Sequence, residues 1–315
     1  MKKLGIVFPG QGSQTVGMLA DIAREYPIVQ EVYKEASDAL GYDLWRMTSE
    51  GPAEELDKTT HTQPALLAGS YAIWKALFSR AKHKPSLLAG HSLGEYTALV
   101  CAESLSFADA IRLVAARGRF MQEAVPAGQG GLAAIVGLDE NTVRTICEQA
   151  VTGEEVLSPA NFNSHGQVVI AGNLPAVERA LGLASKAGAK IAKILPVSVP
   201  SHCVLMKPAA ERLAELLNSI DIQQPKLPVI NNVDVKLYTS PEMIRDGLVR
   251  QLYMPVRWVE VVHEFINHGV TYLVECGPGR VLTGLNRRIG AELTLMQTGD
   301  LRSLREILDT EFEIE

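Results

Sequence analysis

Hydrophobic and polar residues alternate along the first part of the chain in blocks that predict strands and helices in turn. The apolar run "LGIVF" ends at Pro9 and predicts a buried strand, and helical spacing follows over residues 16–40 and 64–80. A second apolar run, "SLLAG", leads into the helical segment "GEYTALVCA", and residues 107–124 have helical spacing again. Strands that alternate with helices are typical of a parallel sheet covered by helices on both faces.

The middle of the chain has a different order of elements. The segments "GGLAAIVGL", "EVLSPANF", "GQVVIAG" and "KIAKILPV" predict strands, and "ENTVRTICEQA" and "LPAVERALGLASKAG" predict helices. The resulting order β-α-β-β-α-β is that of a ferredoxin-like unit. Segments rich in Gly, Pro and Ser, "PAGQGG" and "VSVPS", precede and follow it.

After this unit the alternating pattern returns. The segment "PVINNVDV" predicts a strand, residues 242–252 and 258–268 predict helices, and the strand "TYLVECG" precedes the helix "RVLTGLNRRI". We therefore predict an α/β domain of residues 1–126 and 197–315 with a small α+β domain, residues 127–196, inserted into it. A cleft between two such domains is the usual place for a binding site.

Composition and charge argue against several classes of protein. The 315 residues are 47% hydrophobic and 21% charged, with a net charge of −6, which argues against a general nucleic-acid binder. The four cysteines form no C-x-x-C pair, so we expect free thiols, no disulfide framework and no zinc. The first apolar run is too short for a signal peptide, and no run reaches the ~18 residues of a membrane helix. The sequence thus predicts a cytoplasmic protein.

The motif Gly90-His91-Ser92-Leu93-Gly94 is the strongest candidate for chemistry. It has the G-x-S-x-G form of a nucleophile elbow, between a predicted strand and a predicted helix. The glycines would permit a sharp turn with a positive φ at or near Ser92, and the helix N-terminus would face developing negative charge. The alternative is a glycine-rich turn in which the serine only caps the helix.

Two further side chains could complete such a site. His202 follows a Pro-Ser corner at a predicted strand-to-helix junction, and it is either the base that a serine nucleophile needs or a helix-start histidine bonded locally. On a helix over residues 107–124, Arg112 and Arg119 lie about 20° apart, whereas Arg117 lies about 140° away on the apolar face. A buried guanidinium needs an anionic partner, either a protein carboxylate or a substrate carboxylate.

The turn "FPGQGSQ" directly follows the first predicted strand. Its glycines match neither G-x-G-x-x-G nor a P-loop, so nucleotide binding is disfavoured. Its backbone N–H groups are better suited to an oxyanion next to Ser92. The turn "ECGPGR" at another strand end is interpreted as structural.

With these residues in place, the chain resembles the malonyl-CoA–acyl carrier protein transacylases of bacterial type II fatty acid synthesis. The similarity covers nearly the whole chain and includes "FPGQGSQTVGML", "GHSLGEY", "RGRFMQEAVP", "NFNSHGQVVIAG", "PVSVPSHC", "LVRQLYMPVRW" and "ECGPGRVLTGL". The resemblance implies an α/β-hydrolase-like large subdomain with a parallel sheet and an inserted ferredoxin-like small subdomain.

The resemblance also implies roles for individual residues. Ser92 would be the nucleophile, His202 the general base, and Arg117 the group that holds the malonyl carboxylate. The N–H groups of Gln11 and Leu93 would form the oxyanion hole, and the Gln251 carbonyl would orient the histidine in place of an acidic residue. His91 and Asn163 match motif positions and are carried as neighbours of the site.

The implied activity is transfer of malonyl from malonyl-CoA, through a malonyl-serine ester, to the phosphopantetheine thiol of acyl carrier protein. No cofactor or metal is implied, and we expect a monomer that binds neither membrane nor nucleic acid. The carrier protein is expected to be acidic, and this chain has a net charge of −6. Docking would then need a local basic patch, for which the candidates are Lys190, Lys193, Arg287 and Arg288. A serine thioesterase or esterase on a similar fold, or a non-catalytic subunit that binds the carrier protein, remain alternatives.

Overall fold

Two β-sheets organise the part of the chain that the computed structural model describes, residues 3–78, 84–197 and 199–310. Strands are numbered in chain order: β1 (Leu4–Phe8), β2 (Leu87–Gly90), β3 (Gly130–Val136), β4 (Leu157–Ser164), β5 (Gln167–Asn173), β6 (Ile191–Ile194), β7 (Val229–Ile230), β8 (Tyr272–Glu275) and β9 (Thr294–Gln297). The first sheet has the order β7-β2-β1-β8-β9 and the second the order β4-β5-β3-β6.

Helices cover both sheets. In chain order they are α1 (Ala20–Glu25), α2 (Ile28–Leu40), α3 (Leu44–Glu50), α4 (Ala53–Leu56), α5 (Thr59–Phe78), α6 (Gly94–Cys101), α7 (Phe107–Ala124), α8 (Glu140–Ala150), α9 (Leu174–Lys186), α10 (Lys207–Asn218), α11 (Pro241–Gln251), α12 (Trp258–Asn267), α13 (Val281–Asn286) and α14 (Leu301–Leu308). A 3₁₀ turn, Val204–Met206, precedes α10. None of the helices in the described ranges is long and apolar enough to cross a membrane.

The five-stranded sheet is parallel throughout, and its strands β1, β2 and β7 are fully buried. Strand β1 alternates between two cores: Ile6 and Phe8 pack in one cluster with α5, α6 and α7, and Val7 packs in another with α12. Since parallel strands end at one edge, the turns after β1, β2 and β7 lie side by side. The predicted α/β class and parallel sheet are confirmed, and this edge carries the residues discussed below.

The four-stranded sheet is antiparallel, and α8 and α9 pack against it. Its order β4-β5-β3-β6 is that of the ferredoxin-like unit predicted from the middle of the sequence. The helix predicted from "ENTVRTICEQA" is confirmed as α8, Glu140–Ala150. The sheet runs from Gly130 to Ile194, within the predicted insert of residues 127–196, and the boundaries of that insert stay a prediction.

Three predicted elements differ from the structure. The helix expected over residues 16–40 is two helices, because Pro27 lies between α1 and α2 and disfavours helix at the residue before it. The helix expected over residues 64–80 begins at Thr59, which places Pro64 inside it, and residues 79 and 80 lie outside the described ranges. The strand expected from "PVINNVDV" has only two residues, Val229–Ile230, because the chain turns at Asn231.

Candidate active site

Ser92 lies on a tight turn between β2 and α6, with a φ of 51° in the left-handed region. The turn is possible because the flanking residues lack side chains. A Cβ on Gly90 would lie 1.8 Å from the Gly94 backbone, and a Cβ on Gly94 would lie 2.1 Å from the Phe8 carbonyl oxygen. The positive φ expected from the G-x-S-x-G motif is confirmed, and the turn presents the serine at the carboxyl edge of the parallel sheet.

The Ser92 hydroxyl and the His202 imidazole form a hydrogen-bonded pair. Ser92 Oγ lies 2.8 Å from His202 Nε2, and His202 Nδ1 lies 2.7 Å from the Gln251 carbonyl oxygen. Because a carbonyl can only accept, Nδ1 carries the hydrogen and Nε2 has its lone pair directed at Ser92. The side chain is thus in the tautomer that can accept the serine proton.

His202 is not positioned by a strand of the parallel sheet, as its place at a strand-to-helix junction suggested. The strand before it, β6, belongs to the antiparallel sheet, so His202 does not follow a strand of the parallel sheet. The residue instead has a φ of 64°, and its backbone N–H donates to the Leu252 carbonyl oxygen at 2.8 Å, just past α11. Its backbone and its ring are therefore both tied to the end of α11.

His202 is held in the neutral form. Burial, followed by the positive charge of Arg117, lowers its pKa from 6.5 to about 3. An uncharged imidazole at neutral pH has the free lone pair that a general base requires.

Arg117 is buried and points at the serine. The guanidinium donates from Nη1 to Gln63 Oε1 at 2.8 Å, and from Nη2 to Gln251 Oε1 at 3.0 Å and Ser92 Oγ at 3.2 Å. It also lies over the Tyr96 ring, 5.3 Å from the ring centre. Only 1% of Arg117 is exposed, and Nε has no hydrogen-bond partner among the described residues.

No acidic side chain in the described ranges forms an ion pair with Arg117; its acceptors are amide and hydroxyl oxygens. Of the two partners considered from the sequence, a protein carboxylate is therefore not the one observed. A desolvated cation without a direct counter-ion is costly unless an anion joins it. The site is accordingly suited to an anionic group next to Ser92.

Backbone N–H groups flank the serine on two sides. A Cβ on Gly10 would lie 2.6 Å from the His91 carbonyl oxygen, which shows how closely the turn after β1 packs against the elbow. Within the described ranges, the N–H groups of Gln11 and Leu93 donate to no protein acceptor. The Ser92 N–H, by contrast, donates to Asn232 Oδ1 at 2.7 Å. The first two groups remain available to an oxyanion.

His91 and Asn163 contact each other rather than the reacting pair. His91 Nε2 lies 2.8 Å from Asn163 Oδ1, and the ring lies 5.3 Å from that of Trp258. Burial lowers the pKa of His91. Asn163 is on β4, so this hydrogen bond connects the elbow to the antiparallel sheet.

Three polar residues at the site were missed by the sequence analysis: Gln63, Glu95 and Asn232. All three are buried. Glu95 had a usable signal, since it is a charged residue within the otherwise apolar helix "GEYTALVCA". Gln63 and Asn232 lie in segments with no motif, and only their contacts across the fold identify them.

The protein-family model described as "Acyl transferase domain" matches residues 6–292 of the chain. The chain belongs to the acyl transferase domain family. A malonyl CoA-acyl carrier protein transacylase from Haemophilus influenzae is 58% identical over 310 residues, 98% of each chain.

Solved structures of acyl transferases agree with this assignment. One, a malonyl-transacylase in complex with a type II PKS acyl-carrier protein, superposes with a TM-score of 0.96 at 55% identity, covering 98% of this chain and 99% of its own. An acyl carrier protein S-malonyltransferase from Vibrio cholerae superposes with a TM-score of 0.94 at 55% identity, covering 97% of this chain and 100% of its own. The predicted family is therefore confirmed.

Proposed function

We propose that this acyl transferase moves a malonyl group from malonyl-CoA to the phosphopantetheine thiol of acyl carrier protein. The observation that carries the proposal is the buried Arg117 guanidinium, which forms no direct ion pair with a carboxylate of the described residues and donates to Ser92 Oγ at 3.2 Å. Such a group can bind the free carboxylate of a malonyl thioester while the serine attacks its other end. The names of the similar proteins support the same substrates.

The first half of the reaction uses the pair Ser92 and His202. His202 Nε2 takes the Ser92 proton as Oγ attacks the thioester carbonyl, and the proton then passes to the departing CoA thiolate. The N–H groups of Gln11 and Leu93 would donate to the tetrahedral oxyanion. The products are CoA and a malonyl ester on Ser92.

The second half of the reaction is the reverse sequence with another thiol. The thiol of the carrier protein's phosphopantetheine arm gives its proton to His202 Nε2 and attacks the malonyl-serine ester. Collapse of the second tetrahedral intermediate releases the malonyl thioester and returns the proton to Ser92. Two products leave at separate stages, so ping-pong kinetics are expected.

We also propose that the enzyme needs no cofactor and works in the cytoplasm as a monomer. The proton transfers and the oxyanion contacts above need only side-chain and backbone groups of this chain. No cluster of three or more His, Cys, Asp or Glu residues suited to a metal was found in the described ranges. All four cysteines are buried and unpaired, as is usual in a reducing compartment.

Labelled malonyl-CoA tests the proposal against its alternatives. We expect the isolated protein to carry one label on Ser92 and to pass it to phosphopantetheinylated carrier protein faster than to water. Fast loss of label to water would instead identify a hydrolase. A folded protein that takes up no label would support the non-catalytic subunit.

The activity is expected to be insensitive to pH where an ordinary histidine would titrate. Because the pKa of His202 is about 3 in the folded protein, we expect the acylation rate to stay level from pH 8 to about 5. In the unfolded chain this histidine takes up a proton below 6.5, so its contribution to folding stability is lost as pH falls from 6.5 towards 3. Single-turnover acylation and circular dichroism at each pH separate the two effects. Burial also raises the pKa of Glu95, which accepts from Gln251, to about 7. A half-maximal rate near pH 6.5 that persists in folded Glu95→Gln would therefore contradict the neutral base.

A further inference from the structure

The Glu95 carboxylate is fully buried in α6 and accepts three hydrogen bonds from three other segments. Tyr238 Oη donates to Oε1 at 2.5 Å. The Asn232 backbone N–H donates to Oε2 at 2.8 Å, and Gln251 Nε2 donates to the same oxygen at 3.1 Å. Glu95 takes no direct part in the proton transfers proposed above, yet such a carboxylate is costly to bury unless its acceptor sites are filled.

Asn232, one of these three partners, supports the nucleophile. With its backbone held by Glu95, its side chain accepts from the Ser92 N–H through Oδ1 at 2.7 Å and donates to the Gly90 carbonyl oxygen through Nδ2 at 2.7 Å. One asparagine side chain thus bridges both sides of the elbow turn. The turn holds Ser92 at its positive φ, so the hydrogen bonds from Asn232 to the turn determine where the Ser92 Oγ points.

Gln251, another of these partners, supports the base and the Arg117 guanidinium. Its Nε2 donates to Glu95 and also to the Ser92 carbonyl oxygen at 3.0 Å, while its Oε1 accepts from Arg117. Its main-chain carbonyl accepts from His202 Nδ1. One residue therefore sets the orientation of the imidazole and joins it to the guanidinium, and Glu95 anchors the side chain of that residue.

We propose that Glu95 is a positioning residue that aligns Ser92 with His202, acting through Asn232 on the nucleophile and through Gln251 on the base. Its contribution is the fixed place of its acceptor oxygens. A misplacement of about 1 Å can reduce a rate by roughly 100-fold. Because one carboxylate supports both partners, its displacement should slow the reaction of Ser92. The alignment of Ser92 with His202 should speed attack on any electrophile. That it serves malonyl transfer rests on the proposed function.

Two substitutions of Glu95 distinguish the effect of where its acceptor oxygens lie from the effect of its negative charge. Glu95→Gln keeps an acceptor oxygen at the same reach, and its amide can donate to Tyr238 Oη, which then accepts. Glu95→Asp keeps the charge but withdraws the carboxylate by about 1.5 Å, one carbon–carbon bond. If position matters, the glutamine variant is the active one.

The test measures how fast an uncharged fluorophosphonate labels Ser92. This probe has no carboxylate, so its rate depends on the Ser92–His202 pair and not on malonyl recognition. We expect labelling of Glu95→Asp to slow by about 100-fold, and labelling of Glu95→Gln to remain within about threefold of the parent protein. Malonyl-CoA acylation should show the same order, with the loss in kcat rather than in KM.

Glu275 supplies a matched control for the loss of stability. It is also a buried glutamate, and it accepts from the Leu282 and Thr283 backbone N–H groups at the start of α13, apart from the Ser92–His202 pair. We expect Glu275→Asp to lower the Tm while its folded fraction keeps the parent labelling rate. Labelling rates are compared at a temperature where circular dichroism shows each variant folded.

Two results would overturn the positioning role. One is a folded Glu95→Asp that labels at the parent rate, and the other is a folded Glu95→Gln as slow as Glu95→Asp, because an acceptor oxygen in the right place would then not be sufficient for activity. If the parent reacts with the fluorophosphonate but takes no label from malonyl-CoA, the proposed function fails while the comparison of Glu95 variants remains valid. The two proposals are thus judged separately.

Discussion

Replacing Ser92 with alanine is expected to reduce the rate of malonyl transfer by at least about 10⁴-fold, since loss of a serine nucleophile leaves only binding and oxyanion stabilisation. In the parent protein Ser92 Oγ lies 2.8 Å from His202 Nε2 and 3.2 Å from Arg117 Nη2, so no other hydroxyl in the described contacts occupies this place. The measurement is label retained by the isolated protein after incubation with labelled malonyl-CoA.

Ser70→Ala is the control for this experiment. Ser70 is buried on α5, whereas Ser92 is half-buried, and the Ser70 Oγ has no partner in the described ranges. We expect this variant to take up label within about twofold of the parent protein, as for substitutions that break no contact. Label retained by Ser92→Ala at the parent level would show that another residue is the nucleophile.

Replacing Arg117 with alanine is expected to reduce malonyl transfer about 100-fold more than acetyl transfer, because truncating one partner of a buried charge pair leaves the other unpaired. The acetyl group has no free carboxylate, so its transfer loses only the support that Arg117 gives to Gln251 and Ser92. The measurement is the ratio of kcat/KM for the two thioesters.

Arg112→Ala and Arg117→Lys sharpen the assignment. Arg112 is on the exposed side of the same helix, in an ion pair with Asp109, and we expect its loss to leave the ratio unchanged. Lysine at position 117 keeps the charge but loses the planar fork that donates to Gln63 and Gln251, so it should restore only part of the preference. An equal fall of both substrates in Arg117→Ala would exclude the carboxylate role.

Local sequence patterns predicted much of the fold and the centre of the site. The spacing over residues 107–124 predicted α7 and put Arg117 on its apolar face, where the structure has it 1% exposed. The G-x-S-x-G motif predicted the elbow, because a turn that tight excludes side chains at Gly90 and Gly94. These predictions succeeded because helix periodicity and turn sterics involve neighbouring residues.

Two features of the site did not follow from hydrophobic periodicity. The strand predicted from "PVINNVDV" ends after two residues, since Asn231 turns the chain and Asn232 is recruited to the elbow. The position of His202 comes from hydrogen bonds to the end of α11 and not from a strand of the parallel sheet. The contacts that place His202 are distant in sequence. The turn at Asn231 is local, because Asn231 Oδ1 accepts from the Val233 and Asp234 N–H groups, but hydrophobic periodicity does not reveal it.

By itself, the sequence determined the order of strands and helices, the serine elbow and the burial of Arg117. The tertiary structure decided which groups meet: Ser92 and His202, 110 residues apart, and Arg117 and Gln251, 134 residues apart. It also decided the place of Glu95, whose three donors come from segments more than a hundred residues away. Periodicity and turn chemistry are properties of adjacent residues, whereas hydrogen-bond partners in a buried site are set by how the sheets and helices pack.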